Sequence, residues 1–525
     1  MTIIKLFCIY NILQSSLAFS SRPNIVVILT DDQDLEMNSL SYMPKLQSLL
    51  IDQGALFNNF YAHIPVCCPS RSSLYSGQYQ HNMFVTGNAI ESNCSSISWQ
   101  QTSEKKAFVT YLEQSGYLTS FAGKYLNDYG APAVGGVAHV PNGWTNWQGL
   151  VGNSIYYNYV MSNNGIAEKH SNVYPQDYLP LVILNKTLSF IDDNANKGNP
   201  LFTYVSLPSC HGPHEAEPKY QSLFPDIKAP RTPAYNATVP NAHWLQAVKA
   251  VYPYDDNSAA FSDLVFRRRI QTLQTVDDII ETLVDKFTSL NQIDNTYFLY
   301  SADNGYHTGH FGFIYDKRQP WETDTHLPFI IRGPSIAKKS QVDALVSMPD
   351  LAATILDIAS ITPPSQFDGT SLLPYLKVSQ DEENENEVVA PNPRLMVLFE
   401  YVGEGGSDSG PCAPTLGQPI FCGRDGNYSL PPYFYGNPLC VCQDSTNSTY
   451  TCLRYKSDIE NYRYCKFIDD VNRREYFDYI SDPYELTNIV DTIPQTKKDA
   501  LDERITALRS CSGSTNCDAL LTSTI

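Results

Sequence analysis

The sequence predicts an α/β protein with a large sheet-based domain and a smaller C-terminal part. Residues 23–29 form a continuous apolar run rich in β-branched residues, as expected of a strand buried on both faces of a parallel sheet. Residues 200–207 and 295–301 are also predicted to be strands of this kind. Between residues 270 and 287, apolar positions recur at the spacing of a helix. Strands that alternate with helices indicate α/β architecture, and 525 residues are enough for a large domain and a companion.

The charge balance excludes broad classes of partner. The chain has 36 Lys and Arg against 55 Asp and Glu, a net charge of -19, and a pI near 4.9. Such a surface repels nucleic acid and anionic membranes, so we expect no nucleic-acid partner. If the substrate is an anion, the positive charge that binds it must be concentrated in the site.

The N-terminal segment is typical of a secretory signal peptide. Residues 1–20 contain a lone lysine, an apolar run and a small-x-small sequence, Ala18-Phe19-Ser20, whereas a buried N-terminal strand is the alternative. No later segment is long enough to span a bilayer, so we expect no membrane span. The expected compartment is therefore the secretory pathway, with a lysosomal or extracellular destination. Five N-glycosylation sequons agree with this route: Asn93, Asn185, Asn236, Asn427 and Asn447.

The cysteines divide into two groups. Four of the thirteen, Cys67, Cys68, Cys94 and Cys210, are scattered, and a fifth, Cys8, lies in the signal peptide. The other eight cysteines are close enough together to predict a small module that disulfides hold together. They are Cys412, Cys422, Cys440, Cys442, Cys452, Cys465, Cys511 and Cys517. A zinc cluster is the alternative, but the paired Cys-x2-Cys spacing is missing. An acidic stretch at 381–387 suggests a boundary between a catalytic domain, 22–385, and a cysteine-rich subdomain, 386–525.

Polar residues follow three of the predicted strands. They lie at 30–33, 208–214 and 302–307, and functional groups collect at the carboxyl ends of strands in open α/β sheets. We therefore expect one shared crevice. The arginine run 267–269 is interpreted as a solvated helix surface, with contact to an anionic substrate as the alternative. Four tryptophans are interpreted as core residues rather than sugar platforms: Trp144, Trp147, Trp244 and Trp321.

Asp31, Asp32, Asp303 and Asn304 are candidate metal ligands. Adjacent acids after a buried strand are costly without a cation, and hard oxygen ligands of this kind suit calcium or magnesium. Taken alone, each adjacent pair, Asp31-Asp32 or Asp303-Asn304, is also explained as a helix cap or a turn.

The segment 65–77 contains the most specific motif. Cys67-x-Pro69-Ser70-Arg71 precedes a short apolar helix that ends at Gly77, and this pattern resembles the signature of the type I sulfatases. Further segments recur in family order, among them 123–127, 303–309, 316–319, 332–334 and 368–369. They are most similar to the N-acetylglucosamine-6-sulfatase branch. The resemblance implies an alkaline-phosphatase/sulfatase-like mixed sheet flanked by helices, with a disulfide-rich C-terminal α+β subdomain.

The resemblance also implies residue roles. A formylglycine-generating enzyme would convert Cys67 to formylglycine, and Cys68 would stay a cysteine. The family binds a divalent cation, usually calcium, and here its ligands would be Asp31, Asp32, Asp303, Asn304 and the modified Cys67. Arg71 would orient the formylglycine diol. Lys124 and Lys317 would contact the sulfate, and His211 would protonate the leaving alcohol.

One position departs from the family pattern. Many sulfatases carry a histidine two residues after the lysine of the Gly-Lys motif, and here that position is Leu126. We predict that His307 occupies the vacated space and takes over the deprotonation of the diol. His214 is a further candidate for a contact with the sugar.

The predicted function is formylglycine-dependent hydrolysis of a sulfate ester, either on a sulfated glycan or on a small molecule. The 6-O-sulfate of N-acetylglucosamine in heparan or keratan sulfate is the expected substrate. The alternatives are an arylsulfatase or another sulfated-sugar sulfatase, a phosphodiesterase or phosphonate hydrolase of the same superfamily, and an inactive glycan-binding module.

Overall fold

The computed structural model describes residues 22–243, 256–376, 394–404, 444, 446–468 and 471–525. Several sequence predictions lie outside these residues: the signal peptide, the domain boundary near 385, Trp244, Asn427, and Cys412, Cys422, Cys440 and Cys442. Among the described helices, none has the length and apolar character needed to cross a membrane.

A mixed sheet of eleven strands forms the centre of the molecule. Its main path runs β10-β2-β9-β8-β1-β7-β3-β4-β5-β6, and β11 pairs with β2. The strands are β1 (Asn24–Thr30), β2 (Ala55–Tyr61), β3 (Leu118–Lys124), β4 (Asn146–Leu150), β5 (Val160–Asn163), β6 (Ile166–Lys169), β7 (Leu201–Ser206), β8 (Thr296–Ala302), β9 (His326–Arg332), β10 (Ser340–Val342) and β11 (Val346–Ser347). The three strands predicted from apolar runs, β1, β7 and β8, are adjacent and parallel, and their bounds lie within one residue of the prediction.

Helices cover both faces of this sheet. They are α1 (Pro44–Leu46), which continues as a π turn (Gln47–Ile51), α2 (Cys67–Ser76), α3 (Gln80–Met83), α4 (Ile97–Gln101), α5 (Phe108–Gln114), α6 (Leu179–Asn194), α7 (Asp256–Ser289), α8 (Glu322–Thr325) and α9 (Pro349–Ile358). Along β1 the apolar side chains alternate between two core clusters, with Ile25 and Val27 in one and Val26 and Ile28 in the other. This alternation is the period of a strand buried on both faces.

A second, four-stranded antiparallel sheet forms the C-terminal part. It consists of β12 (Met396–Tyr401), β13 (Tyr450–Lys456), β14 (Asn461–Phe467) and β15 (Arg474–Asp478) in that order, followed by α10 (Gln495–Leu508) and α11 (Ser514–Thr522). Val397 and Phe399 on one face of β12 pack into the core of the large domain. Met396 and Leu398 on the other face pack in a cluster with residues of both terminal helices. The prediction of a smaller α+β part is therefore confirmed.

Three disulfides join described cysteines: Cys68–Cys94, Cys452–Cys465 and Cys511–Cys517. Within the described part of the chain, Cys67 and Cys210 are free and buried. At the described C-terminal cysteines the structure has disulfides, as predicted, and not the zinc cluster that was the alternative. Trp147 and Trp321 are buried in the core, and Trp144 packs against it, as predicted.

Candidate active site

The candidate site lies at the carboxyl ends of four adjacent parallel strands, β8, β1, β7 and β3. Asp31 and Asp32 follow β1, and Asp303 and Asn304 follow β8. Lys124 is the last residue of β3, and His211 lies in the loop after β7. The structure thus brings the predicted strand ends to one crevice, because parallel neighbours end at the same edge of a sheet.

Three buried carboxylates converge in this crevice. Asp31, Asp32 and Asp303 each offer an oxygen within 4.8 Å of the others. Each has a basic partner: Lys124 Nζ lies 2.7 Å from Asp31 Oδ2, Arg71 Nε lies 2.7 Å from Asp303 Oδ2, and Lys317 Nζ contacts Asp32 Oδ1. These contacts stabilise charges that would be prohibitive if buried alone.

The acids differ in their protonation equilibria. Burial by itself raises the pKa of Asp31, but Lys124, His211 and Arg71 outweigh it and hold this pKa well below its usual value. At Asp303 burial dominates over Arg71, and the pKa is raised. An additional cation at this site would favour the ionised form of Asp303.

Asn304 supplies the clearest sign of a ligand position. Its amide nitrogen donates to Asp32 Oδ1 at 2.8 Å and to the Gly305 carbonyl at 2.8 Å. Its Oδ1 is buried without a hydrogen-bond partner among the described residues. A buried amide oxygen without a donor is costly, and in a residue that contacts the Asp32 and Asp303 carboxylates it has the chemistry of a Ca²⁺ or Mg²⁺ ligand. The residues present therefore fit a hard divalent cation.

Cys67 is the first residue of α2 and is completely buried. Its sulfur lies 3.0 Å from Lys317 Nζ, 3.6 Å from Asp31 Oδ1 and 3.8 Å from Asp32 Oδ1. Burial raises the pKa of the thiol to about 12, despite Lys124 and Lys317. An unmodified Cys67 would thus stay protonated at neutral pH and be a poor nucleophile.

Arg71 lies one turn after Cys67 and links three strand ends. Besides Asp303, its guanidinium donates to the Lys124 carbonyl at 2.9 Å and to Ser206 Oγ at 2.8 Å. Its Nη2 lies 3.7 Å from Asp31 Oδ1. The Cys67 helix is thereby held to the carboxyl ends of β3, β7 and β8.

A sequence model of the sulfatase family matches residues 23–361. The chain belongs to the sulfatase family. Human N-acetylglucosamine-6-sulfatase is 40% identical over 95% of this chain and 86% of its own length. The extracellular sulfatase SULF-1 homolog of Drosophila melanogaster is 41% identical over 69% of this chain and 32% of its own. The arylsulfatase of Volvox carteri is 29% identical over 94% of this chain and 76% of its own.

Solved structures share the fold. A protein in complex with its substrate D-glucosamine-2-N,6-O-disulfate has a TM-score of 0.71 and 19% identity, over 92% of this chain and 97% of that one. A phosphonate monoester hydrolase of Agrobacterium radiobacter has a TM-score of 0.63 and 17% identity, over 93% and 96% of the two chains. This protein is accordingly a sulfatase in fold, and its activity is sulfate ester hydrolysis.

His211 is the half-buried histidine of this sulfatase's site. Its Nδ1 lies 2.7 Å from the Gly212 carbonyl, and its Nε2 lies 3.9 Å from Asp32 Oδ2. A carbonyl oxygen can only accept a hydrogen bond, so Nδ1 must carry the hydrogen of the neutral ring. Nε2 is then the nitrogen that can bind and release a proton. Burial outweighs Asp31 and Asp32 and lowers the pKa of the ring.

His307 lies apart from Leu126. Its Nδ1 is 2.9 Å from Asp324 Oδ1, and its ring packs edge-on against Phe313 and Trp321. Those aromatic rings belong to one core cluster, whereas Leu126 belongs to the cluster on the other face of the sheet. Its Nε2 is buried and has no hydrogen-bond partner among the described residues. The proposed role of His307 stays a prediction. His214 is buried, with its Nδ1 2.8 Å from the Cys210 carbonyl.

The interpretation of residues 267–269 as a solvated surface is wrong for Arg269. Arg267 and Arg268 are partly exposed, but Arg269 is 1% exposed and its Nη2 lies 2.8 Å from Asp34 Oδ1. Successive residues of a helix point about 100° apart, so one of three adjacent arginines can face inward while the others stay at the surface.

Two serines that the sequence did not point to contact the site. Ser154 Oγ donates to Asp31 Oδ2, and Ser206 Oγ accepts from Arg71. Ser206 lies near the carboxyl end of the strand predicted at 200–207, so its position was a usable signal. Ser154 lies in a loop with no motif around it, and only the tertiary structure brings it to Asp31.

Proposed function

We propose that this sulfatase is a formylglycine-dependent enzyme that removes the 6-O-sulfate of N-acetylglucosamine residues in heparan and keratan sulfate. The reaction is supported above all by the surroundings of Cys67, where one sulfur lies beside Lys317 and close to two carboxylates. The substrate is supported by 40% identity to N-acetylglucosamine-6-sulfatases of human, goat and cow.

The raised pKa of the Cys67 thiol favours a converted nucleophile over a cysteine. Formylglycine would supply a hydrated aldehyde, in which one hydroxyl attacks sulfur and the second expels sulfate by re-forming the aldehyde. Release of sulfate by the second hydroxyl means that water need not attack the crowded sulfate ester of the enzyme. Arg71, which is fixed by Asp303 and Ser206, would orient the two hydroxyls.

Asp31, Asp32, Asp303, Asn304 and the formylglycine oxygen would hold Ca²⁺ in this proposal. Bound there, the ion would lower the pKa of the attacking hydroxyl and neutralise the charge on sulfate. The chain's own cations act on the same charge: Lys124 and Lys317 would turn from the carboxylates to the sulfate oxygens.

His211 is the proposed general acid. The ring is 19% exposed, and the Gly212 carbonyl accepts from Nδ1, so the doubly protonated ring would carry the transferable proton on Nε2 and return to the neutral form when it donates. An alcohol leaves poorly as an alkoxide, and proton donation from Nε2 would remove this barrier. His307 is the proposed base for sulfate release.

Mass spectrometry of the peptide that contains Cys67, together with a substrate panel, tests the proposal. We expect a mass that corresponds to formylglycine and the highest kcat/KM on N-acetylglucosamine 6-sulfate. The panel also includes an aryl sulfate, a phosphate diester and a phosphonate monoester. An unmodified thiol in fully active enzyme would disprove the mechanism, and preference for the aryl sulfate would disprove the substrate.

The proposed location is the secretory pathway, with a lysosomal or extracellular destination. Conversion of Cys67 would require the formylglycine-generating enzyme during biosynthesis. Of the sequons within the described residues, Asn185 is exposed on α6 and is the best placed for a glycan. Loss of mass after treatment with a glycosidase that removes N-glycans would support this route.

A further inference from the structure

Arg269 lies where the two loops that carry the candidate metal ligands meet. Its Nη2 donates to the Asp32 carbonyl at 2.7 Å and to Asp34 Oδ1 at 2.8 Å. Its guanidinium carbon lies 3.9 Å from the centre of the Tyr306 ring, two residues after Asn304. One side chain from α7 therefore contacts both the loop after β1 and the loop after β8.

The contact with Asp32 acts on an unusual backbone. Asp32 has φ of 63°, a left-handed conformation that side chains other than glycine adopt at a cost. Its N–H donates to Asp303 Oδ1 at 3.0 Å, and its carbonyl accepts from Arg269. Both peptide groups that flank the side chain are thus fixed. This conformation directs the Asp32 carboxylate toward Asn304 Nδ2 at 2.8 Å and toward Lys317.

Stability alone does not account for this arginine. Arg269 is 1% exposed, and its Nε and Nη1 have no hydrogen-bond partner among the described residues. Burying unmatched donors is unfavourable, and apolar side chains of similar volume often replace buried ion pairs without loss of stability. The bonds that Arg269 does make go to the turn that carries Asp32.

We propose that Arg269 is a positioning residue for the cation site, because it clamps the Asp32–Asp34 turn against the Asp303–Tyr306 turn so that the oxygen ligands converge. The proposal rests on the proposed function, since it takes Asp32 and Asn304 as ligands of a divalent cation. Partners that orient metal ligands without touching the metal typically change metal affinity 10- to 100-fold when they are removed.

Calcium titration of the full-length secreted protein tests the proposal. The variants are Arg269→Gln, which removes the charge, and Arg269→Lys, which keeps it but loses the planar fork. Arg268→Gln is the matched control, because Arg268 is the adjacent, partly exposed residue of the same helix. Each protein is stripped with a chelator and titrated with CaCl₂ by calorimetry. The unfolding temperature is measured with and without the ion, and the extent of Cys67 conversion is matched by mass spectrometry.

We expect roughly 10- to 100-fold weaker Ca²⁺ binding for Arg269→Gln, an intermediate value for Arg269→Lys, and wild-type binding for Arg268→Gln. Equal affinity in Arg269→Gln and wild type would overturn the proposal. If Arg269→Gln does not fold, Arg269→Lys decides, and wild-type affinity in that variant overturns the proposal. If the wild type binds no Ca²⁺, the proposed calcium site itself fails, which is a distinguishable result.

Discussion

Lys317 Nζ lies 3.0 Å from Cys67 Sγ and also contacts Asp32, although 250 residues separate Lys317 from Cys67 in the chain. The lysine comes from the loop after β8, and the cysteine starts α2. A buried ammonium between the proposed nucleophile, Cys67, and a carboxylate is preorganised to meet the charge of a sulfate.

We expect Lys317→Met to lower kcat/KM on a sulfate ester by about 10²–10³, since the variant removes a preorganised cation from the reacting group. The measurement is steady-state hydrolysis of N-acetylglucosamine 6-sulfate. Lys338→Met is the control, because Lys338 is exposed and lies in the same part of the sequence. Similar losses in both variants would contradict a specific role for Lys317.

His307→Ala is expected to slow turnover by about 10²–10⁴ if the ring acts as the base for sulfate release. Asp324→Asn should cause a smaller loss, because Asp324 lies 2.9 Å from Nδ1 and orients the ring. Both kcat and its pH profile are measured, since a packing role would leave the profile unchanged. Turnover of His307→Ala at the wild-type rate would show that the assignment is wrong.

Glu404→Gln should lower kcat roughly tenfold, because this carboxylate joins two parts of the site. Its Oε2 accepts from Arg318 Nε at 3.1 Å, next to Lys317, and its Oε1 accepts from the N–H of Asn88 at 2.5 Å. Asn88 in turn accepts from the N–H of Cys68 at 3.0 Å, in the first turn of α2.

Glu460→Gln is the control for that experiment, since Glu460 is an exposed carboxylate of the same C-terminal part and pairs with Lys497. Unchanged kcat in Glu404→Gln would show that the loop with Lys317 keeps its position without this carboxylate.

The ion pair of His81 with Glu400 makes stability depend on pH. His81 Nδ1 lies 2.9 Å from Glu400 on β12. Burial alone would lower the pKa of His81, but the hydrogen bond and charge of Glu400 outweigh burial and raise it above 6.5. A raised folded-state pKa stabilises the protein fully below the unfolded value, and the contribution is lost as pH rises through the folded value.

We therefore expect the free energy of unfolding to fall as pH rises above about 6.5, and to fall less in His81→Gln. Urea unfolding at each pH measures it. An equal or steeper fall in His81→Gln would contradict this assignment.

Removal of the Cys68–Cys94 disulfide should destabilise the protein by about 2–4 kcal/mol, because the bridge closes a loop across 26 residues. Cys94→Ser is measured by urea unfolding, and Cys210→Ser is the control at a buried cysteine that forms no disulfide among the described residues. If Cys94→Ser were no less stable than Cys210→Ser, the bridge would not form in the protein in solution.

The strands that carry the site, and the residue types at their ends, were predictable from local sequence patterns. Residues 24–30, 201–206 and 296–302 could be recognised because continuous β-branched and aromatic runs fit strands buried on both faces. The motif at 67–71, together with the segments that recur in family order, was sufficient to suggest the family, because each is a pattern of nearby residues.

Contacts between side chains that are distant in sequence were not predictable in this way. The bonds of Arg71 to Ser206 and of Ser154 to Asp31 join loops that no local pattern relates. Helical spacing places Arg269, but not Arg267 or Arg268, on the apolar face of α7, yet its partners, the Asp32 carbonyl and Asp34, come from the loop after β1. The reason is physical: periodicity specifies the face of a helix, but the environment of that face depends on elements far away in the chain.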